Sequence, residues 1–497
     1  MRRRASVHAV TAVLALAASV VASGCSKKLA PVDLGSAPNT TIFVQGPLDT
    51  VNHIVNLHWF GTDPHGYVTG YEVRLLNPSA PTDTAWRFTE RKDTLLTVYT
   101  PAGFTEAVFE ARAINDRGVR DPDPARQTFD FSNRAPLVHI TAAPNAIERS
   151  DTTFASVTVT WEVIDVDGDT GRAHFRVWLD GQVDDPVMTD STTFTMPSAR
   201  FQQGGAYLSG RRTLYVQAVD DGGMAGSIDS CTWYVKQPVP GTRARLLVVD
   251  DAQYTGGAKT RVDTLYANAI ARTGIDPTSV RVLHLAASQP FRSVADLAQT
   301  FGLYEHVIWY RGETNAVSPV LMSYGAGVAN YLDAGGRMFL ESLNLVQAWS
   351  SPGPYDVAFV DRYLDSDGVF LFGAPPDSSA AWGVSSVHPT VLHSPLLADS
   401  MVAKRNIGGL RAFVARSRSE MLLTVPPDGL TQHNTSELPV ALDVPQPGGG
   451  RFMVTTLPLV SSTVDASPSD STFVPYPFPQ RASSVLLGML RRLGLGP

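Results

Sequence analysis

One pattern restricts the fold more than any other, and it occurs twice. The first copy reads "LHWFGTDPHGYVTGYEVRL" and later "FEARAINDRG"; the second reads "VTWEVIDVDGDTGRAHFRVWL" and later "LYVQAVDDGG". The copies lie roughly 100 residues apart, the length of one sandwich domain. In each, a tryptophan (Trp59, Trp161) sits on an alternating strand and an Asp/Gly turn follows (63–66, 165–168). Next comes a second alternating strand, Tyr71, Val73 and Leu75 in one copy and Phe175, Val177 and Leu179 in the other. Period-two alternation buries one face and wets the other, as an antiparallel sandwich requires. Turn residues recur every 8–12 positions or so, which marks short strands. The chain's 40 glycines and 35 prolines suit such turns.

The Trp-bearing strand, the "GYEVRL" strand and the "ARAIND-G" ending resemble fibronectin type III or related bacterial immunoglobulin-like domains, over residues 40–134 and 135–238. The family often carries a tyrosine six residues before the Ala of its "V-x-A-x-N" strand; Ala107 and Arg212 stand there instead. In the second copy Asp165, Asp167 and Asp169 alternate around Gly168. Such carboxylates can wrap a hard cation such as calcium, but a full loop needs more oxygen ligands and a bidentate Glu, which does not follow. Asp and Gly are equally the residues of a tight turn, and the reading taken is a turn with no metal.

After the linker "KQPVPGTRA" the texture changes. "ARLLVVDDAQ" is a continuous apolar run, as expected of a strand buried on both faces. Helical and strand-like stretches then alternate: a helix over 262–273, "VRVLHLA", "SVADLAQTF", "HVIWYRG", a helix over 319–333, and "RMFLES". The expectation is a doubly wound parallel sheet over residues 243–497, with an irregular insertion at about 346–418. The whole chain is thus expected to be multi-domain, two all-β antiparallel sandwiches followed by an α/β doubly wound parallel-sheet domain. "LPVALDV" and "GRFMVTTLPL" resume the strands, and "SSVLLGMLRRLGL" closes as an amphipathic helix.

"LLVVDD" resembles the start of a receiver domain, but the strand that should end in a phospho-accepting Asp ends "IWYRGET", with Arg311. That reading is rejected. Asp250 and Asp251 still close a parallel strand, where α/β proteins bind ligands, and are candidate ligand-binding residues. A better resemblance is to the class I glutamine amidotransferase-like, flavodoxin-like fold, over roughly 244–345 and 436–495. There "GGRMFLES" matches the register of the strand ending in the catalytic Cys, and places Ser342 in its slot. The family's later His-Pro-Glu is replaced by Leu457-Pro458-Leu459. The resemblance therefore implies a domain lacking its catalytic residues. A serine hydrolase is the alternative. Its elbow favours Gly two residues either side of the Ser, where Leu340 and Asn344 stand. His388, His393 and His433 lie downstream in polar sequence as conceivable bases. Gly204-Gly205, Gly256-Gly257 and Gly448-Gly449-Gly450 lack the Lys-Ser/Thr of a phosphate loop and read as turns.

The N-terminus carries an address. "MRRR" precedes the apolar "AVTAVLALAASVVA", too short for a membrane span of about 20 residues. "ASGC" follows, and the whole resembles a bacterial lipoprotein signal peptide over residues 1–24. The resemblance implies cleavage before Cys25, acylation of its thiol and new amine, and, with Ser26 next, outer-membrane sorting. Two or three acyl chains, at about 0.8 kcal/mol per buried CH₂, anchor far more firmly than one. Residues 25–39 read as a tether. Cys231 is the chain's other cysteine, so lipidation of Cys25 leaves no intramolecular disulfide. A formal net charge of −7 without a long basic run argues against nucleic acid. The expected protein is exported and lipid-anchored, with a non-catalytic binding or scaffolding role toward an envelope protein or glycan and no cofactor. The alternative is an extracytoplasmic hydrolase, its sandwiches serving as spacers or glycan-binding modules.

Overall fold

The computed structural model describes residues 37–44, 51–144, 152–238, 244–253, 256–285, 290–312, 318–343, 359–371, 390–394, 396–397, 399–403, 411–425, 437–459 and 479–496. The chain forms two compact units: Met1–Arg134 with Val166–Gly168 and Asp221–Met224, and the remainder.

The first unit is a β-sandwich. Its strands are β1 (Asn39–Val44), β2 (Val51–Asn52), β3 (Ile54–Thr62), β4 (Val68–Leu76), β5 (Arg87–Thr89), β6 (Asp93–Thr97), β7 (Phe104–Asn115) and β8 (Ala125–Ser132). They form one sheet in the order β1-β3-β6 and another in the order β2-β8-β7-β4-β5. Along β3 the alternation is literal: Val55, Leu57 and Trp59 are buried while their neighbours are not. Trp59 meets Tyr71 edge-on at 6.3 Å and Phe109 at 5.6 Å, so the two inner faces interlock through aromatic rings.

The second unit opens with another sandwich: β9 (Leu137–Ala142), β10 (Val157–Ile164), β11 (His174–Leu179), β12 (Val187–Thr189), β13 (Thr193–Met196), the small hairpin β14 (Gln202–Gln203) and β15 (Ala206–Tyr207), β16 (Gly210–Val219) and β17 (Ala225–Val235). Its sheets run β13-β10-β9 and β12-β11-β16-β17. Trp161 is buried against Phe175 at 5.3 Å, as Trp59 is in the first copy.

The same unit continues into β18 (Ala244–Asp250), α1 (Gly256–Ala271), β19 (Val280–His284), α2 (Val294–Gly302), β20 (Tyr304–Tyr310), α3 (Pro319–Tyr324), α4 (Ala326–Asp333), β21 (Arg337–Glu341), β22 (Ser366–Leu371), β23 (Thr390–Ser394), β24 (Asp399–Ala403), β25 (Arg411–Ala415), β26 (Glu420–Val425), β27 (Leu438–Pro445), β28 (Arg451–Thr455) and α5 (Pro479–Leu493). Nine strands form one sheet, β19-β18-β20-β21-β28-β27-β26-β23-β24. The first five pair in parallel. From β28 onward the pairing is antiparallel.

The sheet is therefore mixed, where the sequence leads one to expect a parallel one. The difference arises where the apolar periodicity fades. Within 346–418, expected to be irregular, β23 and β24 add to the sheet's far edge and β22 pairs with β25. The helix expected over 319–333 is broken at Gly325 into α3 and α4. Helix α1 starts at Gly256 rather than at 262, so Gly256-Gly257 form its first turn.

Apart from the edge strand β19, the parallel strands are buried on both faces, and alternate residues sort into two cores. Leu247, Val249, Val307, Trp309, Met338 and Leu340 pack with α2 and α4. Leu246, Val248, Ile308, Tyr310, Phe339 and Met453 pack with α1 and α5. The first core is continuous with that of the second sandwich. Phe154 meets Tyr304 edge-on at 5.7 Å. The cap of α2, Ser293, shares hydrogen bonds with Thr158 (2.8 Å) and Thr195 (3.0 Å), and the Ser198 amide donates to Gln299 at 2.6 Å. Although the sequence marks 236–244 as a joint, these contacts tie the sandwich and the nine-stranded sheet into one body.

Candidate functional site at the carboxyl edge of the parallel strands

Parallel register aligns the strand ends. His284, Asp250, Tyr310, Glu341 and Thr455 stand opposite one another in a row across β19, β18, β20, β21 and β28. They fall on the face packed by α1 and α5. The next residue of each strand points to the other face, and there Asp251, Arg311, Ser342 and Thr456 follow.

Asp250 is 2% exposed. One of its oxygens, Oδ2, accepts from Lys259 Nζ and lies 2.6 Å from His284 Nδ1. Lys259, on α1, also donates to Asp263 one turn on. Burial works against the Lys259 ammonium, but the hydrogen bonds and charges of Asp250 and Asp263 outweigh it and hold the pKa above its usual value. Tyr310 donates to Asp263 at 3.2 Å. Its phenol is pushed above the usual range by burial first and by the charges of Asp250 and Asp263 next. It stacks on Tyr266 with ring centroids 4.0 Å apart.

Glu341 is the residue the sequence reading passed over. It is wholly buried immediately before Ser342 and its carboxylate is well supplied with donors. Tyr266 donates to Oε2 at 2.7 Å, the Leu459 amide to Oε2 at 2.8 Å, and the Gly312 amide to Oε1 at 3.0 Å. Burial and then the Glu341 charge raise the Tyr266 phenol well above its usual range, so it remains a donor. Leu459, in the slot where the amidotransferase resemblance puts a catalytic residue, thus offers its backbone to Glu341 while its side chain is buried.

On the opposite face, Asp251 is held by Arg311 at 2.6 Å and by the Trp309 indole at 3.1 Å. Arg311 is itself wholly buried. Asp251 is thereby committed to an internal ion pair, and Asp250 to orienting His284 and Lys259. The sequence expects both to meet a ligand; the geometry engages both with the protein's own cations.

Ser342 is 1% exposed, and its amide donates to the Thr455 carbonyl at 3.0 Å. His284 is three strand positions away, about 14 Å at the usual strand spacing of about 4.8 Å, and on the other face of the sheet. A Ser–His pair needs about 3 Å. His393 lies on β23, while His388, His433 and Asn344 lie outside the described residues, as do Cys25, the signal peptide and most of the tether. Asp169 caps the short 3₁₀ turn Thr170–Arg172, accepting from the Gly171 amide at 3.0 Å. Asp165 and Asp167 flank Val166 in the bend after β10. No group of three metal-ligating side chains that could hold an ion comes together among the described residues.

Beside the polar row is a groove of about 440 Å³, between α1 and the edge strand β19. Val248, Tyr266, Ile270, Ile275, Val280 and Val282 line its length, and Asp263, His284 and Tyr310 close one end. The sequence carries part of this signal: Asp263, Tyr266, Ala267, Ile270 and Ala271 recur at helical spacing along one flank of α1.

No family model matches the chain. No curated protein matches it. Among solved structures, the chain is similar to the fibronectin(III)-like modules of Clostridium thermocellum CbhA, at 17% identity over 40% of this chain and 95% of that one, with a TM-score of 0.18. It is likewise similar to the FN1–FN3 domains of chicken CNTN1, at 13% identity over 41% and 69% of the two chains, also with a TM-score of 0.18. The chain's own strand orders carry the conclusion: it contains two β-sandwiches and a mixed sheet flanked by helices.

Proposed function

We propose that this is a lipid-anchored cell-envelope protein in which a non-catalytic domain, amidotransferase-like in outline, binds a ligand or partner. Five parallel strands with helices between them support that outline, and the sandwiches serve as its stalk. The "ASGC" stretch supports the anchor. One observation carries the non-catalytic reading: Ser342 is buried, with His284 three strand positions away on the other face. An unactivated hydroxyl is a poor nucleophile, and no histidine whose side chain is described lies beside it to take its proton. The polar groups of the edge are instead paired with one another around Asp250, Asp251 and Glu341.

A fluorophosphonate probe tests this, because it labels a serine activated by a base and an oxyanion hole and spares one that is not. The expected result is no labelling at Ser342. Stoichiometric labelling that disappears in Ser342→Ala would promote the extracytoplasmic hydrolase in its place.

A further inference from the structure

The groove between α1 and β19 gives the binding reading a ligand class. Its volume of about 440 Å³ falls within the range of small-molecule sites, roughly 300–1,000 Å³. Its body is aliphatic and aromatic, and Val282 on the edge strand stays 42% exposed along it. The polar groups gather at one end. Asp263 there is 41% exposed in its side chain, and both its protein donors, Lys259 and Tyr310, use Oδ1. Oδ2 accepts no hydrogen bond among the described residues. Two carboxylates, Asp250 and Asp263, share one ammonium, Lys259, and Asp250 is also paired with His284.

We infer that this groove binds a small apolar molecule bearing a protonated amine, its hydrocarbon or aromatic body lying along Val248, Ile270 and Val282 and its ammonium donating to Asp263 Oδ2. The inference rests on the binding reading above and names the ligand chemistry for it. An anion would face Asp263 without a cation to spare, since Lys259 already serves both carboxylates.

The test is a titration of the full chain in detergent with phenethylamine, with its neutral isostere 2-phenylethanol, and with 3-phenylpropionate, followed by calorimetry and ligand-observed NMR. The amine should bind saturably, the alcohol about tenfold more weakly or worse for lack of the charge-assisted hydrogen bond, and the carboxylate more weakly still. Asp263→Asn should bring the amine down to the alcohol's affinity. Ala267→Trp should abolish binding of both, and Ala271→Leu should weaken both; each alanine is exposed on the groove's flank, so neither change overpacks the core. The inference is overturned by equal affinity for amine and carboxylate, by an unchanged amine affinity in Asp263→Asn, or by no saturable amine binding to the folded wild type. Failure here would leave Ser342 unlabelled by the fluorophosphonate probe, whereas failure of the non-catalytic reading would show at Ser342 whatever the amine does.

Discussion

Two buried carboxylates show how differently the same side chain can be used. Asp251 is paired with a wholly buried Arg311. Removing one member of such a pair strands the other charge, which costs about 3–5 kcal/mol. Asp251→Ala is therefore expected to lose about that much in urea unfolding; a loss under about 1 kcal/mol would return Asp251 to the role of a spare ligand-binding group. Asp296, in the first turn of α2, forms no ion pair among the described residues, although the Arg292 charge acts on it from nearby. Burial is the chief cause of its pKa rising from 3.8 to about 6, opposed by the nearby hydroxyls of Ser156 and Thr158 and by the Arg292 amide. The folded state thus holds a proton that the unfolded state has released. Its contribution to stability is complete below about pH 3.8 and is lost as pH rises through about 6. At about 1.4 kcal/mol per pKa unit, this amounts to roughly 3 kcal/mol. Asp296→Asn should gain on the wild type by about that amount between pH 4 and pH 7. Parallel stability curves for the two proteins would refute the assignment.

At the level of elements, what the sequence makes legible is what local periodicity encodes. Trp59 and Trp161 announce buried strand faces because their neighbours alternate, and both are 2% exposed. The "LLVV" run announces a strand covered on two sides, and Leu246 to Val249 supply both cores in turn. Gly335, at a φ of 83°, follows the end of α4 at Asp333, where the expected helix over 319–333 also stops, and a side chain at Gly336 would enter the ring of Tyr331. The candidate site is legible only in part. Ser342 stands at the expected strand end, but Glu341 next to it draws its donors from positions 29, 75 and 118 residues away in sequence. No local pattern announces such a cluster. His284 was readable only as part of a strand, because its pairing with Asp250 follows from register between strands. Linker composition at 236–244 marks a connection and says nothing of whether the elements on either side pack. Because α2 is capped through Ser293 by Thr158 and Thr195, a fragment of residues 244–497 should melt lower than one of residues 135–497 and expose apolar surface to a dye such as ANS. Equal melting temperatures would show that the shared core contributes nothing.

Across the whole molecule, the account joins an anchor, sandwiches and a binding edge in a single chain. The sandwiches bury Trp59, Phe109, Trp161 and Phe175 between their sheets, and the first carries polar ladders on an outer face. In the first, Glu72 pairs with Arg112 and Arg120, Glu110 pairs with Arg74, and the guanidinium groups of Arg74 and Arg112 each lie over the Trp86 ring, at 4.3 and 4.2 Å. Such a wet outer face suits a spacer exposed to solvent. The carboxyl edge of the parallel strands offers an oriented His284, an exposed Asp263 and an apolar groove. The proposal that the chain is held at a membrane rests on the N-terminal stretch ending in Cys25. The direct measurement is fractionation of cells expressing the wild type or Cys25→Ala, combined with metabolic labelling by a fatty acid. The account predicts that the wild type sediments with the outer membrane and carries label, while Cys25→Ala is found unlabelled in the soluble fraction. Unlabelled wild-type protein, or membrane retention unchanged by Cys25→Ala, would contradict it.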